Sequence, residues 1–170
     1  SFRKELLREE GYSVGRLDSR YKGEDYMVAG ENPDTDISNE GFAAAYVSGI
    51  HTWLAEIGVN IKRLYRSGDR DLGKNWDWVS TQNGWPRYVN VAPHIGRAMR
   101  ENIDFKVYLA CGIYDLATPC FTATNTIYEN GIDASRVKFS EFEGGHMMYN
   151  HQPSFDKFLK ELRNFVLEDD

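Results

Sequence analysis

Phe105-Lys106-Val107-Tyr108-Leu109-Ala110-Cys111 and Val137-Lys138-Phe139-Ser140-Glu141-Phe142 decide the fold. Both runs are short and rich in β-branched and aromatic residues, as strands are. Between them Thr118-Pro119 supplies a cap and a first-turn proline, and Asn130-Gly131 a stop, so a short helix joins the strands. Upstream, Asn90 to Asn102 sets Val91, Ile95, Ala98 and Met99 on one helical face. Downstream, from Pro153, Phe155, Phe158, Leu159, Leu162, Phe165 and Val166 recur at helical spacing. Helix, strand, helix, strand, helix predicts an α/β arrangement of parallel strands with a right-handed helical crossover. Ligand chemistry then belongs at the carboxyl ends of the strands.

Earlier residues have a different character. A short helical pattern runs to about Glu10, followed by Gly11, Gly15, Gly23, Gly30 and Asn32-Pro33 with no sustained apolar period, which reads as a lid or surface segment. From Gly41 to Ile57 the residues Phe42, Ala43, Tyr46, Val47, Ile50, Trp53, Leu54 and Ile57 form the stripe of a helix packed on one side. Residues 58–90 are loop-rich and hold Trp76, Trp78, Trp85 and Tyr88, expected to tie a lid to the body. Residues 1–88 are therefore expected to be a mainly helical lid, and residues 89–170 the closing strands and helices of an α/β core. The ends carry less information: Arg16 and Asp18 suggest an ion pair within the lid, and Glu168-Asp169-Asp170 a solvated tail.

Composition limits the function. With 170 residues, 41% hydrophobic, the chain has material for about one domain. A net charge of −6 without a local basic patch disfavours nucleic acid and anionic membranes as partners. No apolar run approaches the ~18 to 20 residues of a membrane span. The chain begins Ser1-Phe2-Arg3, neither an initiator nor a signal peptide, and is expected to be part of something longer. Cys111 and Cys120 are expected as small buried free thiols, a bridge between them being the lesser expectation. His146 and His151 lack the spacing and companions of a metal site, so neither metal nor cofactor is expected. His51 and His94 read as ordinary solvated or satisfied histidines.

Chemistry concentrates at the two strand ends. Asp115 lies four residues beyond Cys111 and His146 four beyond Phe142, so parallel strands bring an acid and an imidazole to one edge. A carboxylate that holds a histidine's Nδ1–H fixes the tautomer and leaves Nε2 free to take a proton from a serine hydroxyl. Asp, helix, strand, His is also the closing order of an α/β-hydrolase. A turn-capping aspartate and a satisfied loop histidine fit the same spacing.

Gly112-Ile113-Tyr114-Asp115-Leu116-Ala117-Thr118-Pro119 and Gly145-His146-Met147-Met148-Tyr149 resemble the Asp and His motifs of serine carboxypeptidases, in their bacterial branch. Phe2-Arg3-Lys4-Glu5-Leu6-Leu7, Val14-Gly15-Arg16-Leu17-Asp18, Trp76-Asp77-Trp78 and Tyr88-Val89-Asn90-Val91-Ala92 are similar to segments of that branch as well. The resemblance implies the carboxyl-terminal half of an α/β-hydrolase that releases C-terminal residues from a peptide substrate through a serine acyl-enzyme. Asp115 would orient, His146 would act as acid and base, and Met147 would border the pocket of the leaving residue. The family's Gly-Glu-Ser-Tyr-Gly-Gly nucleophile segment is absent, and no serine elbow is expected within these residues. The serine and the oxyanion hole are then expected upstream, in an amino-terminal half that is this chain's partner, and the location periplasmic or secreted. Ester hydrolysis or acyl transfer on the same fold, and a non-enzymatic binding module using residues 76–88, are the alternatives.

Overall fold

Strands β3 (Val107–Gly112) and β4 (Val137–Phe142) pair in parallel, Val107 opposite Val137 and Gly112 opposite Phe142. The structure, a computed structural model, describes residues 1–27, 29–76 and 90–167. Trp78, Trp85, Tyr88, the expected boundary at residue 88 and the acidic tail lie outside the described residues. Helix α4 (Ala92–Glu101) precedes β3, α5 (Cys120–Glu129) connects the strands, and α6 (Gln152–Leu167) follows β4. The chain is thus mixed helix and strand with a small parallel sheet, in the element order that periodicity predicts.

Side chains on the strands explain why α6 docks where it does. Tyr108 of β3 stacks on Phe158 at 6.2 Å between ring centres and lies 5.4 Å from Phe165, while Phe142 of β4 meets Phe158 edge-on at 5.9 Å. The Tyr108 hydroxyl donates to Glu161 at 3.1 Å, which satisfies the polar end of a ring otherwise buried for its apolar face. Phe142 and Met99 of α4 are fully buried, and Ala92 of α4 and Ile127 of α5 are buried with them. On α4 the buried face is Ala92, Gly96 and Met99, with Val91 turned to solvent.

The first forty residues are better ordered than their glycines suggest. α1 (Phe2–Glu5) and a 3-10 turn at Arg8–Glu10 lead into an antiparallel hairpin of β1 (Tyr12–Val14) and β2 (Lys22–Glu24). Lys4, fully buried, pairs with Asp25 at 2.8 Å just beyond the hairpin. Helix α2 (Ile37–Glu56) begins four residues before its apolar stripe, because Asp36 caps it by accepting from Ser38 N–H. Its stripe is only part-covered: Trp53, Ile57 and Tyr46 remain exposed, as do Leu64 and Tyr65 beyond it. α3 (Arg70–Asn75) is a single short helix capped by Asp69, and Trp76 after it is exposed. Among the described residues, no helix is long and apolar enough to cross a membrane.

Two readings are corrected. Cys111 and Cys120 are joined by a disulfide. Cys111 opens the buried end of β3 and Cys120 opens α5, and the loop between them turns back until the two Cα atoms are 5.5 Å apart, within bridging range. Arg16 and Asp18 do not pair with each other. Asp18 is held by the Arg20 guanidinium through two hydrogen bonds of 3.0 and 2.7 Å and by the Arg20 backbone N–H at 3.0 Å, and Arg16 reaches Asp36 at 4.0 Å, since a turn at residues 15–20 points the neighbours apart.

Candidate active site

Asp115 follows β3 by three residues and His146 follows β4 by four, so parallel register delivers both to one end of the sheet. Asp115 Oδ2 and His146 Nδ1 are 2.8 Å apart. The carboxylate is 4% exposed, and every side of it is occupied. Oδ1 accepts from the backbone N–H of Ala117 at 2.7 Å and of Thr118 at 3.0 Å; Oδ2 accepts from the Thr118 hydroxyl at 2.6 Å as well as from the imidazole. Burial pushes the Asp115 carboxyl up, but the Thr118 hydroxyl, His146 and the two backbone donors outweigh it and hold the group below its ordinary value. It is an anion at neutral pH.

His146 is presented differently: its side chain is 43% exposed. Nδ1 faces Asp115 and the Thr118 oxygen, the latter at 3.2 Å, while Nε2 makes no hydrogen bond among the described residues. An imidazole whose Nδ1–H donates to a carboxylate and whose Nε2 is uncommitted has the arrangement of a general base. Glu141 and Glu143 are exposed and make no hydrogen bond or ion pair with it; the Glu143 carbonyl accepts from Ser154 at 2.6 Å.

Thr118 departs from its expected role. α5 begins at Cys120 with Pro119 in the capping position, and the Thr118 hydroxyl goes to Asp115 instead of capping.

The loops that carry the pair are held by a segment sequence reasoning gave no role. Leu17 C=O accepts from His146 N–H at 2.6 Å, Arg16 C=O accepts from Leu116 N–H at 3.0 Å, and Tyr114 C=O accepts from Ser19 N–H at 2.9 Å. Residues 16–19 therefore stitch the Asp loop to the His loop. Arg20 adds its guanidinium over the Tyr114 ring, 4.9 Å from the centre. The N-cap of α2 anchors the stitch from behind: Leu17 N–H donates to Ser38 Oγ at 3.1 Å, and Arg16 N–H to Asp36 at 2.8 Å. Two glycines make the approach possible. A Cβ on Gly112 would lie 2.0 Å from Gly145 O, and one on Gly145 would lie 2.2 Å from Leu17 O, both backbone atoms. The signal in the sequence was the placement of Val14-Gly15-Arg16-Leu17-Asp18, whose contacts only the folded chain reveals.

Against family models, curated proteins and solved structures, no match is found.

Met147 borders a cavity of about 140 Å³ together with Leu17, Arg20, Tyr21 and Phe42. The turn beside it is tied to α2 by the Tyr46 hydroxyl, which donates to Asn150 at 2.7 Å. His151 Nδ1 lies 2.9 Å from Ser154 Oγ, but that hydroxyl donates to Glu143 C=O, so the pair braces the start of α6 and offers no nucleophile. His51 Nε2 accepts from Tyr65 N–H at 3.1 Å, a satisfied helix histidine. His94 is exposed.

One serine requires a correction. Gly11-Tyr12-Ser13-Val14-Gly15 has the G-x-S-x-G spelling that was not expected within the chain. Ser13 is the middle residue of β1, 1% exposed and opposite Gly23, and a turn follows in place of a helix. An elbow needs a sharp strand-to-helix turn that exposes the hydroxyl. Ser13 has neither feature. Cys111, Cys120 and Glu141 form the one cluster with metal-ligand spacing among the described residues, and its two sulfurs are committed to each other.

Proposed function

We propose that this chain is the closing part of an α/β-hydrolase and supplies the acid and base of a serine-type carboxypeptidase. The observation that carries the proposal is the 2.8 Å contact of Asp115 with His146 Nδ1 at the carboxyl ends of two parallel strands, Nε2 being left uncommitted among the described residues. On this reading the nucleophilic serine and the oxyanion donors belong to residues upstream of Ser1. The serine hydroxyl gives its proton to His146 Nε2 as its oxygen attacks the last peptide carbonyl. Asp115 stabilises the imidazolium that forms, and the proton passes to the departing amine of the C-terminal residue. Water then repeats the sequence on the acyl-enzyme, releasing the shortened peptide and the serine. Met147 and the cavity beside it would receive the leaving residue. The Cys111–Cys120 bridge favours an oxidising compartment, consistent with a periplasmic or secreted enzyme.

The test is hydrolysis of blocked dipeptides by the longer protein that includes the upstream residues. Release of the C-terminal amino acid, abolished by a covalent serine reagent, is the expected result, whereas this chain alone turns over substrate no faster than buffer. Turnover of esters but not peptides would move the assignment to an esterase or acyltransferase on the same fold. No turnover of either would leave a binding module. Turnover by this chain that Ser13→Ala abolishes would place the nucleophile in β1 and overturn the proposal.

A further inference from the structure

The Thr118 hydroxyl stands 2.6 Å from Asp115 Oδ2 and 3.2 Å from His146 Nδ1, so the three atoms form a closed triangle with the 2.8 Å contact between the other two. A hydroxyl has one proton and two lone pairs, and a carboxylate can only accept. Its proton therefore goes to Oδ2, and what it turns toward the ring is a lone pair. Nδ1 faces two acceptors and no donor. Both neighbours accept the neutral imidazole only with its proton on Nδ1, which is the form with a bare Nε2. Asp115 cannot supply the second hold by itself, because its Oδ1 is occupied by the backbone N–H groups of Ala117 and Thr118.

We propose that Thr118 is a positioning residue of the Asp115–His146 pair: its hydroxyl fixes Oδ2 and shares the Nδ1 proton, so that tautomer and ring orientation are set by two neighbours. The role rests on the reading of His146 as the base, and extends it to a residue that touches neither substrate nor reacting atoms. It also accounts for why the hydroxyl is not spent on capping α5.

Thr118→Val is nearly isosteric, keeps the backbone donor to Oδ1 and removes only the hydroxyl. Two NMR signals of the 170-residue chain read the consequence: the titration of the Asp115 carboxyl carbon, and the exchange of the His146 Nδ1 proton with water. In Thr118→Val the carboxyl titration moves upward, since burial persists while a donor is lost, and the proton exchanges about tenfold faster for want of its second acceptor. Thr118→Ser restores both. Unchanged signals in Thr118→Val, or a serine that restores neither, overturn the proposal; if the amide spectrum shows the valine variant misfolded, Thr118→Ala is read in the same way. In the longer protein, Thr118→Val lowers kcat roughly tenfold at unchanged KM. Signals that respond as expected in a protein without peptidase activity uphold the role of Thr118 and remove only the peptidase reading.

Discussion

His146 N–H donates to Leu17 C=O at 2.6 Å, across 129 positions of chain between the hairpin turn and the loop after β4. His146 is thus held at its backbone by Leu17 and at its ring by Asp115, two supports that lie 98 positions apart in the sequence. Each can be removed separately.

Removing the ring support gives the sharpest chemical prediction. On the proposed function, Asp115→Asn in a protein that includes the upstream residues keeps the fold and substrate binding but lowers kcat by roughly 10⁴-fold, the loss of a wrong-tautomer triad. His146→Ala costs at least as much, and the double variant is little worse than the worse single one, because the two act as one proton-transfer unit. Glu143→Gln, exposed and off the ring, leaves kcat near normal. Steady-state hydrolysis of blocked dipeptides checks all four; a dead Glu143→Gln beside an active Asp115→Asn would transfer the acid to Glu143.

Removing the backbone support is a packing experiment. Gly145→Ala places a Cβ 2.2 Å from Leu17 O, which neither strand end nor hairpin can yield without parting. A destabilisation of about 1–3 kcal/mol is expected from denaturant midpoints. Unlike a mere loss of stability, it also separates His146 from Asp115, so the Nδ1 proton loses its protection in the protein that remains folded.

The pH dependence of stability follows from the lowered Asp115 carboxyl. Because burial is outweighed by its donors, the folded state binds that proton less readily than the unfolded chain. The stabilisation is complete above the ordinary carboxylate range and is lost as pH falls through the folded value. Urea midpoints measured from neutral pH down to about pH 3 should fall more steeply for the wild type than for Asp115→Asn. Parallel slopes would show that the carboxyl is not held as described.

The disulfide closes a short loop that contains both Asp115 and Thr118. Replacing Cys111 and Cys120 by serine together should cost about 2–3 kcal/mol, the chain-entropy value for a loop of this length. Thiol titration of the unfolded, unreduced chain should find none, and two after reduction. Two thiols before reduction would restore the expectation of free cysteines.

Lys4 and Asp25 form an ion pair with side chains 0% and 2% exposed. Lys4→Ala leaves a buried carboxylate without its counter-charge and is expected to cost about 3–5 kcal/mol in thermal or denaturant unfolding. Lys4→Met with Asp25→Leu should recover most of that loss, since a packed apolar pair needs no desolvated charge.

The sequence by itself determined the order of elements from residue 92 to residue 167: α4, β3, α5, β4 and α6, the parallel sense of the strands, and the edge to which Asp115 and His146 are delivered. Those features are local, because helical period, strand composition and the Thr118-Pro119 and Asn130-Gly131 punctuation act within a few residues of themselves. Only the tertiary structure decided what holds the pair in place. The bridge between Cys111 and Cys120 depends on how the loop turns back, the hydroxyl of Thr118 on which of two partners it reaches first, and the clamp of residues 16–19 on contacts between residues 95 to 129 positions apart. β1 and β2 are three residues each, too short to show a period. Their pairing, and the burial of Ser13 within an elbow-like spelling, come from backbone hydrogen bonds and from the close approach of Gly23, opposite Ser13, to the Ile37 side chain, which leave no pattern along the chain.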